Sequence, residues 1–253
     1  MKTVRKAVIP AAGLGTRVLP ASKAIPKEML PIVDKPAIQF IVEEAVRAGI
    51  TDILIITNRG KSIMEDHFDR APELEERLLA SGKKEVYDEV VNLAHLANIT
   101  YIRQKETRGL GHAISCAKAF VGDEPFAVLY GDDVILGEDP ACGQLIRAYN
   151  ETGKGVVGVK EVSEEAIQRY SSLKVEPLHD NWFTCTDMIE KPSKDKIMSL
   201  YSILGRCVLP PQIFDILAHT APGAGGEIQL TDAMCELART ESMIAVDFTG
   251  KRY

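Results

Sequence analysis

The sequence contains little of what builds a disulfide scaffold, a zinc site or a membrane span. Its 253 residues include five cysteines, and no two of them stand in the CxxC spacing of a zinc ribbon or redox pair. The five histidines show no HxxxH spacing, which argues against a zinc site. No apolar run approaches the roughly 18 residues that a spanning helix needs, and no signal-peptide core follows the basic start. We therefore expect a soluble, cytoplasmic protein with reduced thiols.

A surplus of positive charge, which is typical of nucleic-acid-binding proteins, is also missing. The chain has 30 Lys and Arg against 36 Asp and Glu, a formal net charge of −6, so we expect neither nucleic acid nor a membrane as partner. There is no GxSxG elbow or other signature of a catalytic nucleophile. With 45% hydrophobic and 26% charged residues, the composition is that of a globular protein with a sizeable core.

Short apolar runs alternate with helical patterns in the first half of the chain. Strands are predicted at 7–9, 53–57, 99–102 and 126–130, and helices at 36–49, 63–79 and 110–120. This alternation predicts an α/β fold with a Rossmann-like, mostly parallel sheet flanked by helices. Ligands of such sheets bind outside the carboxyl ends of the strands.

The second half of the chain is less regular. Strands are predicted at 155–162, 173–175, 183–189 and 203–208, and helices at 163–170, 211–219 and 228–240. The strands at 173–175 and 183–189 suggest a smaller β portion folded over the crevice at the strand ends. The sequence has no repeat or clear linker, so we predict one domain over 1–253.

A glycine turn, Gly13-Leu14-Gly15-Thr16-Arg17, directly follows the first predicted strand. Glycines let a backbone approach a phosphate closely and point its N–H groups at it. Val18 stands where a dinucleotide fingerprint requires its third glycine, so an NAD site is not expected. Lys23, Lys27 and Lys35 follow in a proline-punctuated loop that would suit a polyphosphate. An ordinary turn with solvated lysines is the alternative interpretation of this segment.

A second glycine–lysine pair occurs in Gly60-Lys61-Ser62, after the second predicted strand. It resembles the end of a Walker A loop, GxxxxGK[ST]. The first glycine of that motif would have to stand at position 55, which is Ile55 inside the strand. Because the phosphate cradle is missing, we interpret this segment as a solvated helix start.

Two carboxylate-bearing segments follow other predicted strands. Asp132-Asp133 comes after the fourth strand, where hard oxygen ligands suit Mg²⁺. Adjacent side chains on a strand point to opposite sides, so we expect one of the two to ligate metal and the other to bind substrate or cap a turn. Glu190-Lys191-Pro192 ends another strand, and its lysine could hold a phosphate while its glutamate binds sugar hydroxyls.

Taken together, these segments resemble the bacterial UTP–glucose-1-phosphate uridylyltransferases of the nucleotidyltransferase family. Thymidylyl- and adenylyltransferases usually carry Ala-Gly-Gly where this chain has Ala11-Ala12-Gly13, which favours the uridylyl branch. The resemblance covers nearly the whole chain and rests on segments 6–17, 19–36, 103–105, 109–113, 131–133, 190–192 and 222–232.

The resemblance implies a reaction in which UTP and glucose 1-phosphate give UDP-glucose and pyrophosphate with Mg²⁺, by direct attack of the sugar phosphate on the α-phosphorus. It implies a nucleotide-binding part over about 1–135, a sugar-binding part over about 136–253, and a homo-oligomer. The implied catalytic residues are Arg17, Lys27, Asp132 and Lys191, with Asp132 as metal ligand. The implied binding residues are Ala11, Ala12, Gly13, Leu14, Gly15, Gln104 and Gly109 for the nucleotide, and Asp133, Glu190 and Lys191 for the sugar.

Two departures from the family pattern accompany the resemblance. Tyr170-Ser171-Ser172 stands where the family has Tyr-Gly, which bears on the choice of sugar. The given sequence ends at Tyr253 where the family continues with an Asp, and we expect a chain without that second metal carboxylate to turn over slowly. Two alternatives remain open at this point. One is a nucleotidyltransferase for another NTP and sugar 1-phosphate, and the other is a silent nucleotide-sugar-binding regulatory protein.

Overall fold

A nine-stranded sheet forms the centre of the molecule, which a computed structural model describes over residues 2–253. The strands of the chain are β1 (Lys6–Pro10), β2 (Pro31–Ile32), β3 (Lys35–Pro36), β4 (Asp52–Thr57), β5 (Asn98–Arg103), β6 (Phe126–Leu129), β7 (Ile135–Leu136), β8 (Val156–Glu161), β9 (Ser171–His179), β10 (Trp182–Glu190), β11 (Tyr201–Leu209), β12 (Met243–Asp247) and β13 (Lys251–Arg252). Nine of them form the central sheet in the order β5-β4-β1-β6-β11-β8-β12-β10-β9.

Seven of the nine strands in this sheet run in the same direction, which makes the sheet mostly parallel by strand direction. β5, β4, β1 and β6 run side by side in one direction, and β8 pairs with β12 in parallel. Only β11 and β10 run against the other strands. β1, β4 and β6 are nearly continuous apolar runs because helices cover both faces of the sheet, whereas β5 at the edge is largely exposed. The predicted α/β class and the mostly parallel sheet are confirmed.

Helices pack on both faces and create two hydrophobic cores. Ile38, Ile41 and Val42 of the first helix are fully buried on one face of the sheet, and Ala233 and Met234 of the last helix on the other. The helices are α1 (Ala37–Arg47), α2 (Ile63–Phe68), α3 (Pro72–Ala80), α4 (Lys84–Leu93), α5 (Leu110–Ser115), α6 (Lys118–Val121), α7 (Ala141–Thr152), α8 (Glu164–Ile167), α9 (Ile213–Leu217) and α10 (Leu230–Glu241). Among residues 2–253, no helix has the length and apolar character needed to span a bilayer.

Three details differ from the sequence-based expectations. The helix predicted at 63–79 is two helices, since Pro72 lacks the N–H that a continuous helix requires and begins α3 instead. Helices α4 and α7, strand β12 and the two-residue strands β2, β3, β7 and β13 were not predicted. The small β portion is the hairpin β9–β10, which is continuous with the central sheet and not a separate one.

This hairpin leaves the central sheet partway along its length. β10 pairs with β12 only over residues 182–185. Beyond an irregularity between Cys185 and Asp187, β10 pairs with β9 alone. The end of the hairpin that carries Glu190 therefore lies apart from β12, and Ser171 opposite it bonds to Ser202 of β11.

Candidate active site

A crevice of about 340 Å³ opens at the carboxyl ends of β1 and β6, as expected for this kind of sheet. Seven residues predicted from the sequence line it, namely Ala12, Gly13, Arg17, Lys27, Gln104, Gly109 and Asp132. Six further lining residues escaped sequence reasoning, namely Pro10, Thr107, Leu110, Ala113, Tyr130 and Glu227. The other predicted site residues, Ala11, Leu14, Gly15, Asp133, Glu190 and Lys191, lie outside this lining.

The glycine turn begins directly after β1. Gly15 adopts a left-handed conformation with φ of 69°, and its carbonyl accepts a hydrogen bond from Ser22 Oγ at 2.6 Å. A Cβ added to Gly13 would lie 3.7 Å from Lys27 Nζ, so this amine lies alongside the turn. The side chain of Leu14 points away from the core and is exposed. The turn thus offers its backbone, with one lysine beside it, to the crevice.

A buried ion pair between Lys61 and Glu28 contacts the chain just before this turn. Lys61 Nζ donates to Glu28 Oε2 at 2.9 Å and to the carbonyl of Ala11 at 2.5 Å. Burial raises the pKa of Glu28 and lowers the pKa of Lys61, while the attraction between the two charges opposes both shifts. The interpretation of Gly60-Lys61-Ser62 as a solvated helix start is therefore wrong for Lys61, whose side chain is buried. Lys61 links the glycine turn to Glu28, the residue next to Lys27.

The two carboxylates after β6 have different environments. Asp132 is half-exposed, faces the crevice and accepts a hydrogen bond from Lys27 Nζ at 2.5 Å. Asp133 is only 6% exposed, and both of its carboxylate oxygens are bound by the Arg252 guanidinium. The Asp133 carboxylate is bound by Arg252 and does not line the crevice. For both reasons we do not assign Asp133 to sugar binding.

The loop between these carboxylates and the next strand is held closely. Arg206, fully buried and paired with Glu44, donates to the carbonyl of Asp133 at 2.8 Å. Gly205 has φ of 65°, and a Cβ added there would lie 2.5 Å from Asp133 Oδ2. Only glycine permits this close approach, so the loop that presents Asp132 is fixed by packing as well as by charge.

Glu190 and Lys191 lie at the end of β10. Thr231 Oγ1 donates to Glu190 Oε2 at 2.9 Å, and burial raises the pKa of Glu190 despite this bond and the nearby charge of Lys191. The backbone of Lys191 is left-handed with φ of 47°, and its N–H donates to the carbonyl of Tyr170 at 2.7 Å. A partly buried carboxylate and an exposed lysine are thus adjacent at this end of the hairpin.

Tyr130 was missed because nothing in an apolar strand marks its final aromatic residue as a lining residue. Burial raises its pKa well above the usual value, and the charges of Cys207, Glu190, Asp133 and Asp132 raise it further. Its side chain lines the same crevice as Asp132.

Comparison with known proteins gives this geometry a context. UTP–glucose-1-phosphate uridylyltransferase 2 of Staphylococcus saprophyticus is 54% identical over 253 residues, which span 100% of this chain and 88% of that protein. UTP–glucose-1-phosphate uridylyltransferase of Bacillus subtilis is 53% identical over 253 residues, covering 100% of this chain and 87% of that protein.

The crystal structure of a UDP-glucose pyrophosphorylase complexed with UDP-glucose superposes with a TM-score of 0.91 at 40% identity, covering 99% of this chain and 93% of the other. The UTP-bound UGPase of Acinetobacter baumannii gives a TM-score of 0.91 at 37% identity, covering 99% of this chain and 88% of the other. The sequence model of the nucleotidyl transferase family matches residues 6–252, and this chain belongs to that family.

Proposed function

We propose that this chain transfers a uridylyl group from UTP to glucose 1-phosphate, giving UDP-glucose and pyrophosphate. The observation that carries the proposal is the crevice in which the Gly13 turn, the Lys27 amine and the Asp132 carboxylate meet, in a chain that matches named uridylyltransferases over its full length. A silent nucleotide-sugar-binding protein is disfavoured, because Arg17 and Asp132 line the crevice and Lys191 is present.

Gln104 and Gly109 would select uracil. Gln104 is buried, and its Nε2 is engaged by the carbonyl of Gly109 at 3.2 Å and by His112 Nδ1 at 2.9 Å. These contacts leave the Gln104 carbonyl oxygen to accept from uracil N3–H, while the N–H of Gly109 donates to a uracil oxygen. Cytosine has an acceptor at N3 in place of the donor, so the same oxygen would repel it.

Asp132 would hold a divalent cation, which nucleotidyl transfer generally requires. Among residues 2–253 there is no group of three or more His, Cys, Asp and Glu side chains that could form a complete cage. One half-exposed carboxylate facing a crevice fits Mg²⁺, which is commonly bound by one or two carboxylates together with substrate phosphates. The bound cation would neutralise part of the charge of the triphosphate.

The remaining charged groups would orient the two anionic substrates. Arg17 and Lys27 would hold the triphosphate, Lys191 the sugar phosphate and Glu190 the sugar hydroxyls. A sugar phosphate is already anionic, so no general base is needed to create the nucleophile. Fixed cations reduce the repulsion between the substrates and stabilise the transition state, typically by about 3–4 kcal/mol for each well-placed donor. Holding both substrates in line contributes roughly 7–11 kcal/mol more.

Release of pyrophosphate from a matrix of substrates tests the function. The protein is incubated with Mg²⁺ and each combination of UTP, CTP, dTTP or ATP with glucose, galactose or mannose 1-phosphate. We expect UTP with glucose 1-phosphate to be fastest and CTP to be nearly inert. A higher rate with another pair would transfer the assignment to that pair. Tight binding of UDP-glucose without turnover of any pair would favour the silent regulatory protein.

We also propose that the chain forms a homo-oligomer. Several apolar side chains around the site loops are exposed, among them Leu14 and Val33, the latter 97% exposed. Light scattering during size-exclusion chromatography distinguishes an assembly from a monomer.

Replacing Lys191 with Ala should raise the KM for glucose 1-phosphate and lower kcat while leaving the KM for UTP nearly unchanged. The change removes the cation opposite the sugar phosphate and should cost about 2–4 kcal/mol of transition-state stabilisation. Steady-state kinetics with each substrate varied in turn measure this. Lys194→Ala removes a lysine three positions further on and serves as control. A Lys191→Ala variant within threefold of the parent in all constants would refute the role.

Replacing Glu190 with Gln should stabilise the fold and weaken sugar binding. The raised pKa of Glu190 means that its charge is disfavoured in the folded state, and glutamine keeps an oxygen for Thr231. The gain in stability should be full above the folded-state pKa and should fade as the pH falls through that pKa towards 4.5, because the parent is then protonated as well. Charge-assisted hydrogen bonds contribute about 1.5–3 kcal/mol, so the KM for glucose 1-phosphate should rise at least tenfold. Thermal unfolding from pH 4 to 8 and steady-state kinetics measure the two effects, and a destabilised variant with unchanged KM would contradict both.

A further inference from the structure

Arg252 lies between the loop that carries Asp132 and the segment that carries Lys191. On one side its guanidinium binds both carboxylate oxygens of Asp133, with Nη2 at 3.1 Å from Oδ2. On the other side it lies over the ring of Tyr170, 5.6 Å from the ring centroid, with Nη1 at 3.5 Å from the phenol oxygen. A planar guanidinium can make a bidentate ion pair and stack on an aromatic ring at once, which lysine cannot.

The two residues that Arg252 contacts, Asp133 and Tyr170, are each connected to a residue proposed to bind substrate. Asp133 directly follows Asp132. The carbonyl of Tyr170 accepts the N–H of Lys191 at 2.7 Å. Lys191 has φ of 47°, a conformation that a residue with a side chain holds only when its surroundings impose it. Arg252 is therefore connected to Asp132 through the adjacent Asp133, and to Lys191 through Tyr170.

The Asp133 side of this arrangement is rigid. Arg206 binds the Asp133 carbonyl, and Gly205 packs against its carboxylate. The backbone of Arg252 is also fixed there, because β13 pairs with β7 and places Arg252 opposite Ile135. On the Tyr170 side, the neighbouring Ser171 bonds to Ser202 and to the N–H of Ile203 in β11, whereas β10 beyond Cys185 no longer pairs with β12. Arg252 therefore adds a direct link between two segments that are otherwise joined through β11.

We propose that Arg252 is a positioning residue, which holds Lys191 at a set separation from Asp132 by binding Asp133 and Tyr170 at the same time. This inference rests on the proposed function, in which Asp132 and Lys191 contact the two different substrates. Direct attack requires the sugar phosphate oxygen to be in line with the α-phosphorus of UTP and the leaving pyrophosphate. A misplacement of a substrate by about 1 Å can lower the rate about a hundredfold. Loss of Arg252 should therefore affect the alignment of the substrates more than the binding of either one.

The kinetic arm of the test uses Arg252→Gln and Tyr170→Leu, singly and combined. Each single variant should lower kcat by tenfold to a hundredfold, with both KM values within threefold of the parent. The double variant should be no slower than the slower single one, because both changes break the same link. Tyr170→Phe keeps the ring under the guanidinium and should recover most of the rate. Arg239→Gln is the matched control, since Arg239 makes a bidentate pair with Asp187 at 3.0 and 3.1 Å on the same hairpin and contacts neither Asp133 nor Tyr170.

The second arm is hydrogen exchange without substrates. In Arg252→Gln the Lys191 amide should exchange faster than in the parent, whereas Arg239→Gln should leave it unchanged. Additive losses of rate in the double variant, or an unchanged Lys191 amide in Arg252→Gln, would overturn the proposal. Equal losses of rate in Arg252→Gln and Arg239→Gln would show a structural effect only and also overturn it. If the parent itself releases no pyrophosphate, the proposed function fails, and the exchange of the Lys191 amide still decides whether Arg252 holds that residue.

Discussion

Replacing Lys61 with Met should lower the free energy of unfolding by about 3–5 kcal/mol, because it leaves the Glu28 carboxylate without its partner in a buried site. Glu28 is 1% exposed and cannot reach water without rearrangement. The same change removes the bond from Lys61 Nζ to the carbonyl of Ala11. The Gly13 turn and Lys27 should loosen together, so the KM for UTP should rise in the fraction that remains folded.

Denaturant unfolding at two pH values tests the physical cause. The loss in the free energy of unfolding should be smaller at pH 5 than at pH 7. Burial raises the pKa of Glu28, and in the variant no cation opposes this shift, so protonation neutralises the carboxylate as the pH falls. The double variant Lys61→Met, Glu28→Met should recover most of the stability, since an apolar pair can replace a buried ion pair at little cost. Lys84→Met breaks the exposed pair with Asp88 and should cost less than about 0.5 kcal/mol. If Lys61→Met costs no more than Lys84→Met, the buried pair does not support the turn.

Much of the fold could be predicted because local patterns determine it. β1, β4 and β6 are short apolar runs separated by helical patterns, and such runs are typical of a parallel sheet covered on both faces. The position of the crevice follows from the same rule, since the loops after β1 and β6 meet at one edge of the sheet. β12 was missed because it follows α10 with only Ser242 between them, so no turn separates the helical pattern from the strand pattern.

The polar pairs that shape the site could not be predicted in the same way. Lys61 and Glu28 are 33 residues apart, and Arg252 and Asp133 are 119 residues apart. Nothing in the spacing of either pair marks the partner, because the contact depends on how the finished sheet brings the loops together. The missing first glycine of a Walker A loop argues against a phosphate cradle at Lys61, but it carries no information about the burial of that side chain, which is 7% exposed. Asp133 likewise fits the sequence pattern of a substrate ligand, whereas in the structure its carboxylate binds Arg252.

Replacing Asp132 with Asn should abolish most cation-dependent turnover, with a loss of about a hundredfold to a thousandfold in kcat. Asparagine keeps the shape of the side chain and an oxygen for Lys27, so the fold should remain intact. It removes the negative charge that Mg²⁺ prefers in its ligands. Because Asp132 is half-exposed and its ion pair with Lys27 is accessible to solvent, we expect only a small change in the free energy of unfolding.

Calorimetry separates this role from a general weakening of the site. The parent should bind UTP more tightly with Mg²⁺ than without it, whereas Asp132→Asn should bind UTP with nearly the same affinity in both conditions. Asp139→Asn is the control, because Asp139 also pairs with a cation at 2.5 Å, the Nη2 of Arg147, and lies outside the crevice. An Asp132→Asn variant that keeps both its turnover and its Mg²⁺-dependent gain in UTP affinity would show that the cation is held elsewhere. Lys27 would then be the only demonstrated partner of Asp132, and the carboxylate would serve to orient that amine beside the Gly13 turn.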